Sequence, residues 1–146
     1  MKDVAVPDIG KLKDVFAEYP YIAAAWLFGS QAKGKAGPMS DIDIALLLKD
    51  DAPKGLELIH EEDYLAYRIQ KALGVKADVD LADLNNKKLV FQHNVLRTGK
   101  LVYEGDKDVR VRFATRVISE FCDFEPRLRF MQKIQNRTRI RKLRGL

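Results

Sequence analysis

Gly29-Ser30-Gln31-Ala32-Lys33-Gly34-Lys35-Ala36-Gly37-Pro38-Met39-Ser40-Asp41-Ile42-Asp43 separates two short apolar runs, residues 21–28 and 44–48. Both runs are bounded by turn residues and rich in large apolar groups, the pattern of buried strands. The connection holds three glycines, a proline, two serines and two lysines, a composition suited to a loop that lets its backbone approach phosphates. It ends in Asp-x-Asp at the start of the second strand. On a strand, residues two apart share a face and lie roughly 6.6 Å apart. Asp41 and Asp43 therefore present two carboxylates side by side, while Ile42 and Ile44 turn into the core. Like charges so placed repel, and a divalent cation is their natural partner.

Working outward, Pro7 and Asp8 open a helix over residues 8–18, with Ile9, Leu12, Val15 and Phe16 at helical spacing, and Pro20 ends it. The first strand follows over 21–28, a short helical turn is expected over 30–33, and residues 34–38 are irregular. The second strand runs over 41–48. Because its link to the first is too short for a helical crossover, the two are antiparallel neighbours. Residues 55–73 form the clearest helix, with Leu56, Ile59, Leu65, Ile69 and Ala72/Leu73 on one face and Gly74 as its stop. Residues 75–84 alternate as a strand: Val79 and Leu81 share one parity, Asp78 and Asp80 the other. Asn85 or Asn86 caps a helix to residue 97. A short strand over 99–105 and a long helix from residue 107 complete the order. The sum is an α/β (α+β) domain: a small mixed sheet with helices packed on it.

The 146 residues suit one hydrophobic core. At 47% hydrophobic and 32% charged, the chain reads as a soluble globular protein. Its longest apolar run is far too short to span a bilayer, and residues 1–4 show no signal-peptide pattern. One cysteine, Cys122, excludes an internal disulfide and a four-cysteine zinc site; it sits between Phe121 and Phe124 and reads as a small core hydrophobe. The expected location is the cytoplasm. Residues 126–146 hold eight cations and no acid, so the other 125 residues carry −3 of the chain's +5. The division is thus a domain over 1–125 and a basic helical tail over 126–146. Leu128, Met131 and Ile134 fall on one face of that tail. It suits partner contact and equally a solvated end; without an RNA-binding signature or interleaved aromatics, nucleic acid is not the favoured partner.

The Gly-Ser-x10-Asp-x-Asp spacing resembles the signature of the DNA polymerase beta-like nucleotidyltransferase superfamily. Within it, residues 10–125 look most like the minimal nucleotidyltransferases (MNT), short members paired with a HEPN-domain toxin. That family draws a third carboxylate from the neighbouring strand, within a sequence resembling Val-Asp-x-x-Asp-Leu-Asn. Val79-Asp80-Leu81-Ala82-Asp83-Leu84-Asn85 matches it, which makes Asp80 the candidate and Asp78 the fallback. Asp83, of opposite parity, is expected to cap or to face solvent. The resemblance implies that Asp41, Asp43 and Asp80 hold two Mg2+ ions, with ATP as substrate, and that attack on the alpha phosphorus expels pyrophosphate. It places the triphosphate at Gly29 and Ser30, with Lys33 where the family commonly has arginine; lysine neutralises charge but makes no bidentate fork. The implied function is an antitoxin that adenylylates a tyrosine of its cognate HEPN-domain toxin.

Competing readings are fewer. Gly29-x4-Gly34-Lys35 nearly spells a P-loop, but Ala36 lacks the required hydroxyl and Gly37-Pro38 blocks the long helix that must follow. His60 and His93 have no metal-binding spacing. Transfer to a small molecule, as in aminoglycoside nucleotidyltransferases, usually comes with an added substrate domain. A non-catalytic antitoxin that neutralises its partner by covering it remains the alternative from another class.

Overall fold

The computed structural model describes residues 10–29 and 41–144, the side chains of residues 140 and 142–144 excepted. Ser30, Lys33, Lys35 and the expected turn over 30–33 lie outside the described residues. The elements follow in the order α1 (Gly10–Ala17), β1 (Ile22–Phe28), β2 (Ile42–Leu48), α2 (Leu56–Leu73), β3 (Val79–Asp83), a 3-10 turn (Leu84–Asn86), α3 (Leu89–Thr98), β4 (Lys100–Glu104) and α4 (Lys107–Arg144).

The four strands make one mixed sheet in the order β3-β2-β1-β4. β1 pairs antiparallel with β2, as the short connection demands, and with β4 on its other side. β2 and β3 are parallel, joined through α2 as a crossover must be. Being central, β1 and β2 are covered on both faces, which is why they read as continuous apolar runs. Alternation then sorts the two layers. Ile42, Ile44, Leu46 and Leu48 pack with Leu12 and Phe16 of α1 and Leu65 and Ile69 of α2. Ala45 and Leu47 pack with Trp26, with Val95 of α3 and with Phe113 and Val117 of α4. Fully burying a side chain such as Phe16 or Ile44 contributes about 1.5–3 kcal/mol, so the two layers hold the sheet rigid beneath the acidic end of β2.

Gly74 closes α2 in the left-handed conformation, its N–H donating to the carbonyls of Gln70 and Lys71. The buried face of α2 differs from the expected one. Leu56 and Ile59 are 74% and 52% exposed, and the inward line runs through Leu58, Leu65 and Ile69. Glu62 has the spacing of that inward line, and a charge there hides the true stripe from a count of apolar positions. Cys122 is exposed rather than core; α4 turns Phe113 and Val117 inward, and residue 122 falls off that side.

Asn85 and Asn86 do not cap α3. They lie in the 3-10 turn, and Lys88 precedes the helix. Asn85 instead extends the β2 edge: its Nδ2 donates to the Leu48 carbonyl at 2.9 Å, and its Oδ1 accepts from the Leu48 N–H at 2.9 Å. α4 passes through Pro126 without a break, and residues 126–139 are exposed or half-buried. Among the described residues no helix is long and apolar enough to cross a membrane.

Candidate active site

The acidic end of β2 is built by register. In the parallel β2–β3 ladder Asp43 is paired with Asp80, between the pairs Ile42 with Val79 and Ile44 with Leu81. Val79 and Leu81 pack into the α1–α2 layer together with Ile42 and Ile44. Asp43 and Asp80 therefore project from the opposite face, the one that α3 and α4 cover further along the sheet. One residue of slip would drive both carboxylates into the apolar layer, so the core itself enforces their alignment. The Asp78 carbonyl accepts the Ile42 N–H at 2.8 Å, fixing the start of β3 beside the start of β2.

Gly29 closes the site from β1. Phe28 is the register partner of Asp43, and the chain turns at Gly29 with φ +74°. A Cβ on that residue would stand 2.7 Å from Asp43 Oδ2. Glycine is thus required twice, for the left-handed backbone and for the carboxylate beside it.

Asp43 is the electrostatic centre. Partial burial, then the charge of Asp80, then that of Asp41 raise its pKa above the ordinary aspartate value. Asp80 stands opposite Asp43 across the ladder, and Asp41 precedes Asp43 by two residues. Asp41 is exposed just ahead of β2, and Asp80 is exposed on β3. The three supply oxygen donors only, the chemistry that a hard divalent cation prefers. Among the described residues no three acidic, histidine or cysteine side chains already form a coordination set.

One sequence expectation resolves differently. Asp83 holds the N-cap position of the 3-10 turn but makes no capping hydrogen bond with its side chain; its Oδ1 is buried, and its carboxyl meets Glu62 of α2. Nothing in the apolar pattern marks Glu62, because the signal is a charge at a core spacing. His93 stacks on Phe121 at 3.7 Å between ring centroids.

A mixed sheet that sets acids from adjacent parallel strands beside a glycine turn is the scaffold of a nucleotidyl-transferring enzyme. Comparison with known proteins agrees. A family model described as polymerase beta, nucleotidyltransferase, matches residues 10–108. A protein adenylyltransferase MntA from Aphanizomenon flos-aquae (strain 2012/KM1/D3) is 31% identical over 122 residues, covering 77% of this chain and 80% of the relative. A second, from Shewanella oneidensis, is 34% identical over 102 residues, covering 70% and 68%. Among solved structures, a toxin–antitoxin complex with AMP-PNP aligns with a TM-score of 0.65 at 27% identity, over 88% of this chain and 98% of that one. A tri-AMPylated Shewanella oneidensis HEPN toxin in complex with an MNT antitoxin gives 0.59 at 26% identity, over 87% and 95%. The chain belongs to the polymerase beta nucleotidyltransferase family, in its MNT branch, and is a nucleotidyltransferase.

Proposed function

We propose that the chain transfers AMP from ATP to a tyrosine hydroxyl of a cognate HEPN-domain toxin, and so serves as the antitoxin of a cytoplasmic toxin–antitoxin pair. The observation that carries this is the register pairing of Asp43 with Asp80 beside Gly29. The protein adenylyltransferase relatives and the AMPylated toxin complex supply the nucleotide and the acceptor class.

Asp41, Asp43 and Asp80 would hold Mg2+, which when bound offsets triphosphate charge and lowers the pKa of the attacking hydroxyl. Gly29 carries no side chain that would collide with the Asp43 carboxylate beside it. Ser30 and Lys33 are assigned to the triphosphate, the first through its hydroxyl and N–H, the second through charge. Asp80, the outermost of the three on β3, takes the proton of the acceptor hydroxyl at its carboxylate. The bond formed is from the tyrosine oxygen to the alpha phosphorus, and the bond broken is that to the bridging oxygen of the leaving pyrophosphate. Little covalent work falls to the protein, so positioning and charge dominate. Residues 126–146 are assigned to a basic arm separate from the catalytic domain over 1–125.

Incubation with labelled ATP, Mg2+ and the HEPN protein encoded beside the chain tests this. Label should appear on the toxin and vanish with Asp41→Asn plus Asp43→Asn. Neutralisation of the toxin by that double variant, without label, would establish a covering module instead.

A further inference from the structure

Glu62 and Asp83 meet where α2 packs on β3. Glu62 belongs by spacing to the inward line of α2, with Leu58, Leu65 and Ile69. Asp83 ends β3 opposite Leu46 and shares the parity of Val79 and Leu81, so it points to the same layer. Glu62 Oε2 and Asp83 Oδ1 are both buried, and neither receives a hydrogen bond. Two ionised carboxylates offer only acceptors to each other; a single proton between them satisfies both.

We propose that one proton shared by Glu62 and Asp83 clasps α2 to the end of β3, and that this clasp positions Asp80, three residues earlier on the same strand, opposite Asp43. Burial first, then the adjoining Asp83 carboxyl, then the charge of Asp63 raise the Glu62 pKa to about 8, so the proton is in place at neutral pH. The other charges near the clasp are engaged elsewhere. Glu61 accepts the Tyr21 hydroxyl at 2.9 Å, and Arg68 of α2 pairs with Glu18 at 2.7 Å. Among the described residues no cation stands among the charges acting on Glu62. Loss of the proton leaves two half-buried anions side by side, whose repulsion and desolvation cost push α2 and β3 apart. Glu62 and Asp83 are positioning residues: they touch neither nucleotide nor acceptor.

Because the folded pKa lies above the unfolded value, the clasp contributes fully below about pH 4.5 and is lost as pH rises through about 8. The test is the thermal midpoint of the full chain from pH 5 to pH 9.5, with hydrogen exchange of the β3 amides, for wild type, Glu62→Gln, Asp83→Asn and Glu62→Leu. Wild type should lose about 3–6 °C across this range, and β3 protection should fall with it. Glu62→Gln and Asp83→Asn keep a donor between the two side chains at every pH and should hold midpoint and protection flat. Glu62→Leu orphans Asp83 and should be lower throughout. AMP transfer, which rests on the proposed function, should follow the same alkaline limb in wild type and lose it in Glu62→Gln. A wild-type profile as flat as that of Glu62→Gln overturns the clasp, as does Glu62→Gln destabilised as far as Glu62→Leu. If wild type transfers no AMP at any pH, the midpoint and exchange data still decide the clasp, and the failure belongs to the proposed reaction.

Discussion

Gly29 lies so close to Asp43 that a methyl group on it would stand 2.7 Å from the Asp43 Oδ2. Alanine at this position meets two costs, the left-handed backbone at about 1–2 kcal/mol and displacement of the carboxylate. Gly29→Ala should therefore lower stability by at least that amount and reduce AMP transfer about a hundredfold, the penalty of a misplaced reacting group. Urea denaturation and the labelled-ATP assay measure the two effects separately. A variant that folds as wild type and transfers normally would remove Gly29 from the site.

Asp43 sits half-buried between two like charges, and its raised pKa means that ionisation at neutral pH works against folding. The sign follows from linkage: the raised folded pKa gives a contribution present at acid pH that is lost as pH climbs through it. Asp43→Asn should accordingly be more stable than wild type at pH 7, by a margin that shrinks toward acid pH, while transferring no AMP. Calorimetry at pH 7 and pH 4 reads the margin. Loss of both stability and activity would mean that Asp43 is a structural residue.

On the proposed function, a cation shared by Asp41, Asp43 and Asp80 would relieve that repulsion only in the folded state. Mg2+ should raise the thermal midpoint of wild type, by an amount equivalent to about 2.7 kcal/mol at a hundredfold excess over its dissociation constant. The Asp41→Asn plus Asp43→Asn variant should show no such rise. Equal shifts in both proteins would place the ion elsewhere.

Much of this was legible in the sequence for physical reasons. The Asp-x-Asp pair was readable because Ile42 and Ile44 alternate with the two acids at the start of β2 and fix which face the carboxylates take. The antiparallel β1–β2 pair followed from a link too short for a crossover; the parity of Val79 and Leu81 put Asp78 and Asp80 alike on the acidic face, and only the likeness of residues 79–85 to the family's sequence favoured Asp80. The misses share one cause. Asn85, Asp83 and Glu62 act through tertiary partners, Leu48 for the first and each other for the second and third, and a polar side chain carries no periodic trace of such a partner. Leu56 and Ile59 misled because the stripe on α2 that faces the sheet includes Glu62.

Asn85 makes its two bonds to the Leu48 backbone at the far end of β2 from the acids. Asn85→Ala removes both and strands an amide and a carbonyl at the sheet edge. Stability should fall by about 1–3 kcal/mol, with AMP transfer kept within a few-fold of wild type at a temperature where the variant is folded. Denaturant melts and assays on the same preparation distinguish this from a direct role in the reaction.

The most direct measurement is AMP incorporation into the cognate HEPN-domain toxin of the proposed pair, from ATP and Mg2+, by wild type and by Asp80→Asn. Wild type should place label on toxin tyrosine, and Asp80→Asn should lose at least about a hundredfold of it, the fold intact. Full transfer by Asp80→Asn would contradict the pairing of Asp43 with Asp80 as the centre of the reaction.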